Sequence, residues 1–181
     1  MKKLRVELLG RLRSLALFQV CLLSAFLGFV YADRVTVEMV FKPLEAVEKI
    51  WIFHHVFFQV LATVIFGCIA LAYWLGGGSW KFSLAGFIES MILTHSGVED
   101  YLYYALFGER VPKFLTWLSW NGYLIKTSQL TTLFPVTSQG LELGVALSIL
   151  FVGAMWTILI RQTRPTASRH IKSETYQIKR A

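Results

Sequence analysis

Charged residues are scarce in this 181-residue chain: they make up 16% of it, while apolar residues make up 55%. Soluble domains carry about 25% charged residues. The apolar residues also gather into blocks long enough to cross a bilayer core, which takes roughly 20 residues of helix. The shortage of charge therefore excludes an ordinary soluble domain and predicts an all-α integral membrane bundle.

Cysteine is nearly absent, and the motifs of several protein classes are missing. Only Cys21 and Cys68 occur, both inside apolar blocks, which argues against a disulfide framework. The Gly76-Gly77-Gly78 string lacks the Gly-Lys-Ser/Thr ending of a phosphate-binding loop. No nucleic-acid recognition motif accompanies the basic residues, so we expect no nucleic acid partner.

Four apolar blocks are long enough to span a membrane. They cover about residues 15–31, 52–75, 82–107 and 141–160. We assign all four to a single membrane domain, residues 1–181. The sequence therefore predicts about four transmembrane helices, with membrane lipids as their surroundings.

The placement of basic residues predicts the orientation. The two ends of the chain hold 11 of the 18 Lys and Arg residues. Lys and Arg beside a span favour the cytoplasmic side, so the tails at residues 1–14 and 161–181 are predicted to be cytoplasmic in a multi-pass protein of the cell membrane. Segments 32–51 and 108–139 then face outward, and the turn at residues 76–79 makes spans two and three an antiparallel hairpin.

The end of the first block permits two interpretations. Val30 and Ala32, just before Asp33, resemble a signal-peptidase site, with a basic and an apolar region ahead of them. The apolar region is longer than the roughly 7–15 residues of ordinary signal peptides, which favours an uncleaved anchor. Cleavage would leave three spans with the same orientation.

Both outer segments are predicted to form amphipathic helices on the outer face of the membrane. Residues 35–50 carry apolar residues at helical spacing, and Pro43 is expected to bend or divide that helix. Residues 111–134 contain Trp117 and Trp120, a residue type that favours the headgroup level. The alternative for this second segment is a re-entrant or fifth spanning piece, which its polar residues disfavour.

The fourth block carries small residues at four-residue spacing, namely Gly140, Gly144 and Ser148. Small residues let another helix approach closely in a membrane. They predict a helix–helix contact, either with another protein chain or, as the alternative, within the same chain.

The third block is interrupted by titratable groups, which cost roughly 2.5–3.5 kcal/mol each at the centre of a spanning helix. On one continuous helix they share a broad face, which we expect to point into the bundle; the alternative is a helix break at Gly97, which would divide that face. The hairpin places His54 and His55 at the level of its outer members. The four groups are Glu89, His95, Glu99 and Asp100.

Three histidines and several carboxylates suit zinc, iron or manganese. The predicted metal ligands are His54, His55, His95 and Glu99. Glu89 and Asp100 are the predicted catalytic residues, as a general base or as a partner that orients a ligand. The alternative is a structural polar network, since no specific metal motif such as His-Glu-x-x-His appears.

Three function classes follow from these features. The first is a membrane enzyme, with a divalent metal as its candidate cofactor, that acts on a lipid or other apolar substrate at the outer leaflet. The second is a non-catalytic membrane subunit or assembly factor, indicated by the small size and the small-residue face. The third is a proton or small-ion transporter that uses Glu89, because an acid near mid-membrane is functional by default.

Overall fold

The structure, a computed structural model, describes residues 2–41, 48–118, 121–131 and 136–163. These residues form an all-helical bundle. Its helices are α1 (Lys2–Thr36), α2 (Glu48–Leu75), α3 (Trp80–His95), α4 (Val98–Ala105), α5 (Gly122–Thr131) and α6 (Ser138–Thr163). A π-helical turn, Val37–Phe41, extends α1, and a 3-10 turn, Thr116–Leu118, precedes α5.

Three of these helices are long and apolar enough to cross a membrane. The candidate spans are Leu9–Met39, Val56–Leu75 and Ser138–Gln162. Helix α3 has 16 residues and rises about 24 Å, which is short of the roughly 30 Å hydrocarbon core. It packs among the three longer helices, so the bundle is roughly consistent with the predicted count of about four.

The predicted third span, residues 82–107, is broken into two helices. Helix α3 ends at His95, and α4 begins at Val98 after Gly97 adopts a left-handed conformation with φ 87°. A Cβ atom at Gly97 would lie 3.0 Å from the side chain of Leu124, so both the backbone conformation and the space favour glycine. Because the helix is interrupted, the prediction that its four titratable residues share one continuous helical face is wrong.

The hairpin of α2 and α3 has the predicted antiparallel arrangement. The turn at residues 76–79 joins the two helices. Ser83 Oγ donates to the Ala70 carbonyl at 2.5 Å, and farther from the turn Thr63 Oγ1 donates to Met91 Sδ at 3.6 Å. These two contacts agree with the pairing of residues that the glycine turn predicts for the hairpin.

Two apolar clusters hold the helices together. The larger one joins α1 and α2 and reaches the start of α4; its buried members are Phe18, Leu22, Phe26, Phe29, Val30, Ala62, Phe66, Ala70 and Val98. The smaller one lies between the segment before α5, α5 itself and the start of α6; its members are Leu115, Leu118, Leu124, Val136 and Leu141. In hydrocarbon such clusters stabilise the fold by close packing, because lipid tails are as apolar as the side chains.

Helix α5 packs on the small-residue face of α6. A Cβ atom at Gly140 would lie 2.5 Å from Ser128 Cα. The Tyr123 hydroxyl donates to the Gly144 carbonyl at 2.7 Å and lies 3.1 Å from Ser148 Oγ. The intrachain contact is therefore present, and association of this face with another chain stays a prediction.

The outer segments are less regular than the two predicted amphipathic helices. In the first, α1 continues to Thr36 and the turn Val37–Phe41 follows, while residues 42–47, with Pro43, lie outside the described residues. Within its described residues, the second contains the short turn Thr116–Leu118 and helix α5, and Trp120 lies outside the described residues. Their position on a membrane surface stays a prediction.

Candidate functional site

Four titratable side chains from three helices meet at one end of the bundle. They are Asp33 of α1, His54 of α2, and Glu99 and Asp100 of α4, and we call them the acidic cluster. A hydrogen bond of 2.8 Å joins His54 Nε2 to Asp33 Oδ1. His54 is buried, with 7% of its surface exposed, so this pairing satisfies an imidazole that would otherwise lack a polar partner on that side.

Helix α4 brings two carboxyl groups to this end. Val98 is buried in the larger apolar cluster, to which α1 also contributes, and α4 packs against α1 with its carboxyls near Asp33. With eight residues, α4 is about 12 Å long and does not cross a membrane. Because the helix breaks at Gly97, the short acidic helix α4 lies at the end of the bundle.

The two carboxyl groups that α4 supplies have raised pKa values. Burial, together with the nearby carboxyls of Asp100 and Asp33, raises the pKa of Glu99. Burial and the carboxyl of Asp33 raise the pKa of Asp100 to about 7. The side chain of Glu99 also lies close enough to Asp33 for their proximity to raise the pKa of Glu99 further. The two carboxyls of α4 therefore keep their protons to a higher pH than ordinary carboxyls do.

Arg34 lies beside the acidic cluster and ties α1 to the chain after α4. Its guanidinium donates to Glu109 Oε2 at 2.9 Å and also pairs with Glu38 at 2.9 Å. It stacks over the Tyr103 ring at 4.6 Å and the Phe107 ring at 5.0 Å. Because Arg34 pairs with Glu38 and Glu109, its charge is largely neutralised outside the acidic cluster.

Glu89 lies elsewhere, at the junction of α1, α3 and α6. Its Oε2 accepts hydrogen bonds from Gln19 Nε2 at 3.2 Å and from Trp156 Nε1 at 2.8 Å. The Trp156 ring is held by stacking on Phe82 at 5.9 Å. Gln19 and Asp33 are 14 residues apart on α1, or about 21 Å, so Glu89 is separate from the acidic cluster.

His95 ends α3 and is exposed, so it faces away from the bundle interior. Its carbonyl accepts a hydrogen bond of 2.8 Å from Asn121 Nδ2. Asn121 Oδ1 in turn accepts from the amides of Tyr123 and Leu124 at 3.1 and 3.2 Å. The polar atoms freed by the helix break are thus bound by the residue that caps α5.

The structure groups the predicted site residues differently from the sequence analysis. It brings His54, Glu99 and Asp100 to one end, leaves Glu89 bonded to Gln19 nearer the middle of α1, and puts His95 on the exposed surface. Among the residues that the structure describes, no three His, Cys, Asp or Glu side chains are arranged to hold a metal ion. The side chain of His55 lies outside the described residues, so the metal site as a whole stays a prediction.

Sequence reasoning missed four residues that the structure makes central: Asp33, Arg34, Gln19 and Trp156. Asp33 and Arg34 are the first charged residues after the first apolar block, a position that was interpreted only as a possible cleavage site. Gln19 is a polar residue inside a span, which is a signal of interhelical hydrogen bonding. In the sequence, nothing distinguishes Trp156 from an aromatic residue at the membrane interface.

The fold and its polar groups define an all-helical membrane-embedded bundle with an acid–histidine cluster at one end and a bonded glutamate in its interior. No protein-family model, curated protein or solved structure matches this chain.

Proposed function

We propose that the acidic cluster is an acid–base centre at the outer surface of a multi-pass cell-membrane protein, and that it acts on a lipid or other apolar substrate. One observation carries the proposal: Asp33 contacts both the imidazole of His54 and the carboxyl of Glu99. Such an arrangement couples a base to an acid through one shared carboxyl group.

The chemistry of the centre follows from these contacts. Asp33 orients His54 through their hydrogen bond, so the imidazole is positioned to accept a proton. Glu99 keeps a proton at a pH where an ordinary carboxyl has lost it, so it is positioned to donate one. Glu99 and Asp100 are partly exposed, which leaves them reachable by a molecule at the membrane surface.

Comparative lipid profiling tests the enzymatic part of the proposal. Membranes from cells that produce the wild type, Glu99→Gln or Asp33→Asn would be compared by mass spectrometry, with Glu142→Gln as the matched control because Glu142 is an exposed acid near the same end. We expect one lipid change that requires Glu99 and Asp33 but not Glu142. A change that persists in both variants, or no change with the wild type, contradicts the proposal and favours a non-catalytic subunit.

Metal dependence is a separate part of the prediction. Imidazole and carboxylate are donors that zinc, iron and manganese accept, and the predicted ligands His54, His55, His95 and Glu99 supply both, while the described residues by themselves form no metal-holding group. Elemental analysis of detergent-purified protein is decisive: near-stoichiometric metal that Asp33→Asn removes would support a metal-dependent centre. Folded, metal-free protein that keeps its lipid activity would show that the acid–base chemistry operates alone.

The orientation is also a proposal. The basic end of the bundle, formed by Arg11, Arg13, Lys81 and Arg161, is expected to face the cytoplasm, which puts the acidic cluster outside. Continuous α1 supports an uncleaved anchor, because its side chains supply much of the larger apolar cluster.

Transport through Glu89 is the second candidate function. It is favoured by the position of this acid between three helices, bonded to Gln19 and Trp156. In liposomes that contain a pH-sensitive dye, the candidate predicts proton flux with the wild type and none with folded Glu89→Gln. Equal flux in both proteins contradicts it.

A further inference from the structure

At the basic end of the bundle, opposite the acidic cluster, an open groove runs between α1 and α2. Its volume is about 510 Å³, which is within the roughly 300–1,000 Å³ of pockets that bind small molecules. Its lining changes along its length, from Arg13 and Ser14 at one end to Leu17, Cys21 and Ile69 at the other. On α1 the distance from Arg13 to Cys21 is about 12 Å.

The floor of the groove is formed by packed aromatic rings. The rings of Phe18 and Tyr73 stack there with their centroids 4.2 Å apart. Behind Tyr73 the glycine turn closes tightly: a Cβ atom at Gly78 would lie 2.5 Å from the ring. The groove is therefore shaped by aromatic packing and not by side chains that rotate freely.

The mouth of the groove is positively charged and polar. Among the described residues, none forms an ion pair with the Arg13 guanidinium. The Ser14 side chain lies next to the Tyr73 hydroxyl, so a guanidinium and two hydroxyl groups occur together at the membrane-surface end. Arg binds phosphate oxygens through charge-assisted hydrogen bonds.

We propose that this groove binds one anionic phospholipid, with its phosphate at Arg13, Ser14 and Tyr73 and an acyl chain along Leu17, Cys21 and Ile69. The occupant follows from the two chemistries: free phosphate would leave the 12 Å apolar part empty, and an uncharged lipid would leave Arg13 unpaired. Basic residues beside a span are attracted to anionic headgroups, and here the groove adds a chain-binding surface that fixes one lipid in place.

Native mass spectrometry of the full chain in detergent tests the proposal. Phosphatidylglycerol and phosphatidylcholine with identical acyl chains would be titrated in parallel. We expect one phosphatidylglycerol to be retained, bound several-fold more tightly than phosphatidylcholine. Arg13→Gln should weaken phosphatidylglycerol binding roughly fivefold, as expected for one basic residue. The matched control, Arg161→Gln, removes an exposed charge from the same end but outside the groove and should leave binding unchanged.

A second pair of variants tests the chain-binding part. Cys21→Trp fills the groove and should weaken binding of both lipids, whereas Leu27→Trp, which is outside the groove, should not. Equal losses in Arg13→Gln and Arg161→Gln would show a diffuse charge effect and overturn the proposal. Displacement of the lipid by millimolar inorganic phosphate, or no effect of Cys21→Trp, would overturn the lipid as the occupant.

Discussion

Asn121 joins the end of α3 to the start of α5 with a single side chain. It donates to the carbonyl that ends α3 and accepts from two amides at the start of α5. An N-cap contributes about 0.5–2 kcal/mol and one further hydrogen bond about 1 kcal/mol. Asn121 is 8% exposed, so water replaces little of this bonding.

We therefore expect Asn121→Ala to lower the free energy of unfolding by about 1.5–3 kcal/mol, measured by reversible unfolding in mixed detergent. Asn121→Asp is the informative comparison, because it keeps the oxygen that caps α5 and loses the amide that binds His95. Asn121→Asp should lower the free energy of unfolding less than Asn121→Ala does. Wild-type stability in Asn121→Ala would show that the junction does not depend on this residue.

Glu99 gives the protein a pH response with a defined sign. A carboxyl whose pKa is raised by folding stabilises the fold while it is protonated, and this contribution is lost as the pH rises through the raised pKa. With the pKa of Asp100 at about 7 and that of Glu99 also raised, the melting temperature should fall between about pH 5 and pH 8.

The control for this prediction is a pair of variants. Glu99→Gln should flatten the decline of the melting temperature, and Glu142→Gln, at an exposed position, should not. A wild-type melting temperature that rises over the same range would contradict the raised pKa values. The pKa of the neighbouring Asp100 is also raised, so the difference in melting temperature between wild type and Glu99→Gln is the quantity to compare.

The members of the acidic cluster were partly predictable from the sequence. His54, Glu99 and Asp100 were predicted to lie at the same level, and they do lie at one end of the bundle. Their common partner, Asp33, was not found, because a charge at the end of an apolar block is as typical of a solvated helix end as of a site. His95 was misplaced because its face depends on a helix that does not continue through Gly97.

At the scale of helices, α5 and α6 offer a direct test of close packing. Gly140→Ala would bring a Cβ atom to 2.5 Å from Ser128 Cα, and overpacking of this kind costs about 1–3 kcal/mol. Gly153 lies in the same helix, and a Cβ atom added there would meet nothing within 4 Å. Gly153→Ala should therefore be neutral or stabilise by up to about 1 kcal/mol.

The measurement is the melting temperature of both variants in one detergent. We expect the melting temperature to fall for Gly140→Ala and not to fall for Gly153→Ala. Equal behaviour of the two variants would mean that α5 does not rest on this face of α6. In that event the face would be free for the contact with another chain that the small-residue spacing also allows.

Helices were predictable where the signal was local. A glycine turn between two apolar blocks was sufficient to define the hairpin and its depth register. A break at Gly97 was the alternative to one continuous helix, because an isolated Gly inside a helical pattern is usually tolerated. The structure shows the break: Gly97 adopts a left-handed conformation and lies against Leu124 of α5.

For the whole molecule, the packing of α1 predicts that the first apolar block is retained. Five of its side chains, Phe18, Leu22, Phe26, Phe29 and Val30, are buried in the larger cluster. N-terminal sequencing of purified protein should find residues before Asp33. A mature protein that starts at Asp33 would contradict this prediction, because the remaining helices would lack their main packing partner.

In the proposed centre, Glu99 holds a proton that it shares with Asp33 at the acidic end of the bundle. Infrared difference spectroscopy of the protein in lipid measures this directly, through the carbonyl band of protonated carboxyl groups. We predict a band that persists well above the ordinary carboxyl pKa of about 4 and is lost in Glu99→Gln. Identical titrations of the wild type and Glu99→Gln, both complete near pH 4, would contradict the account.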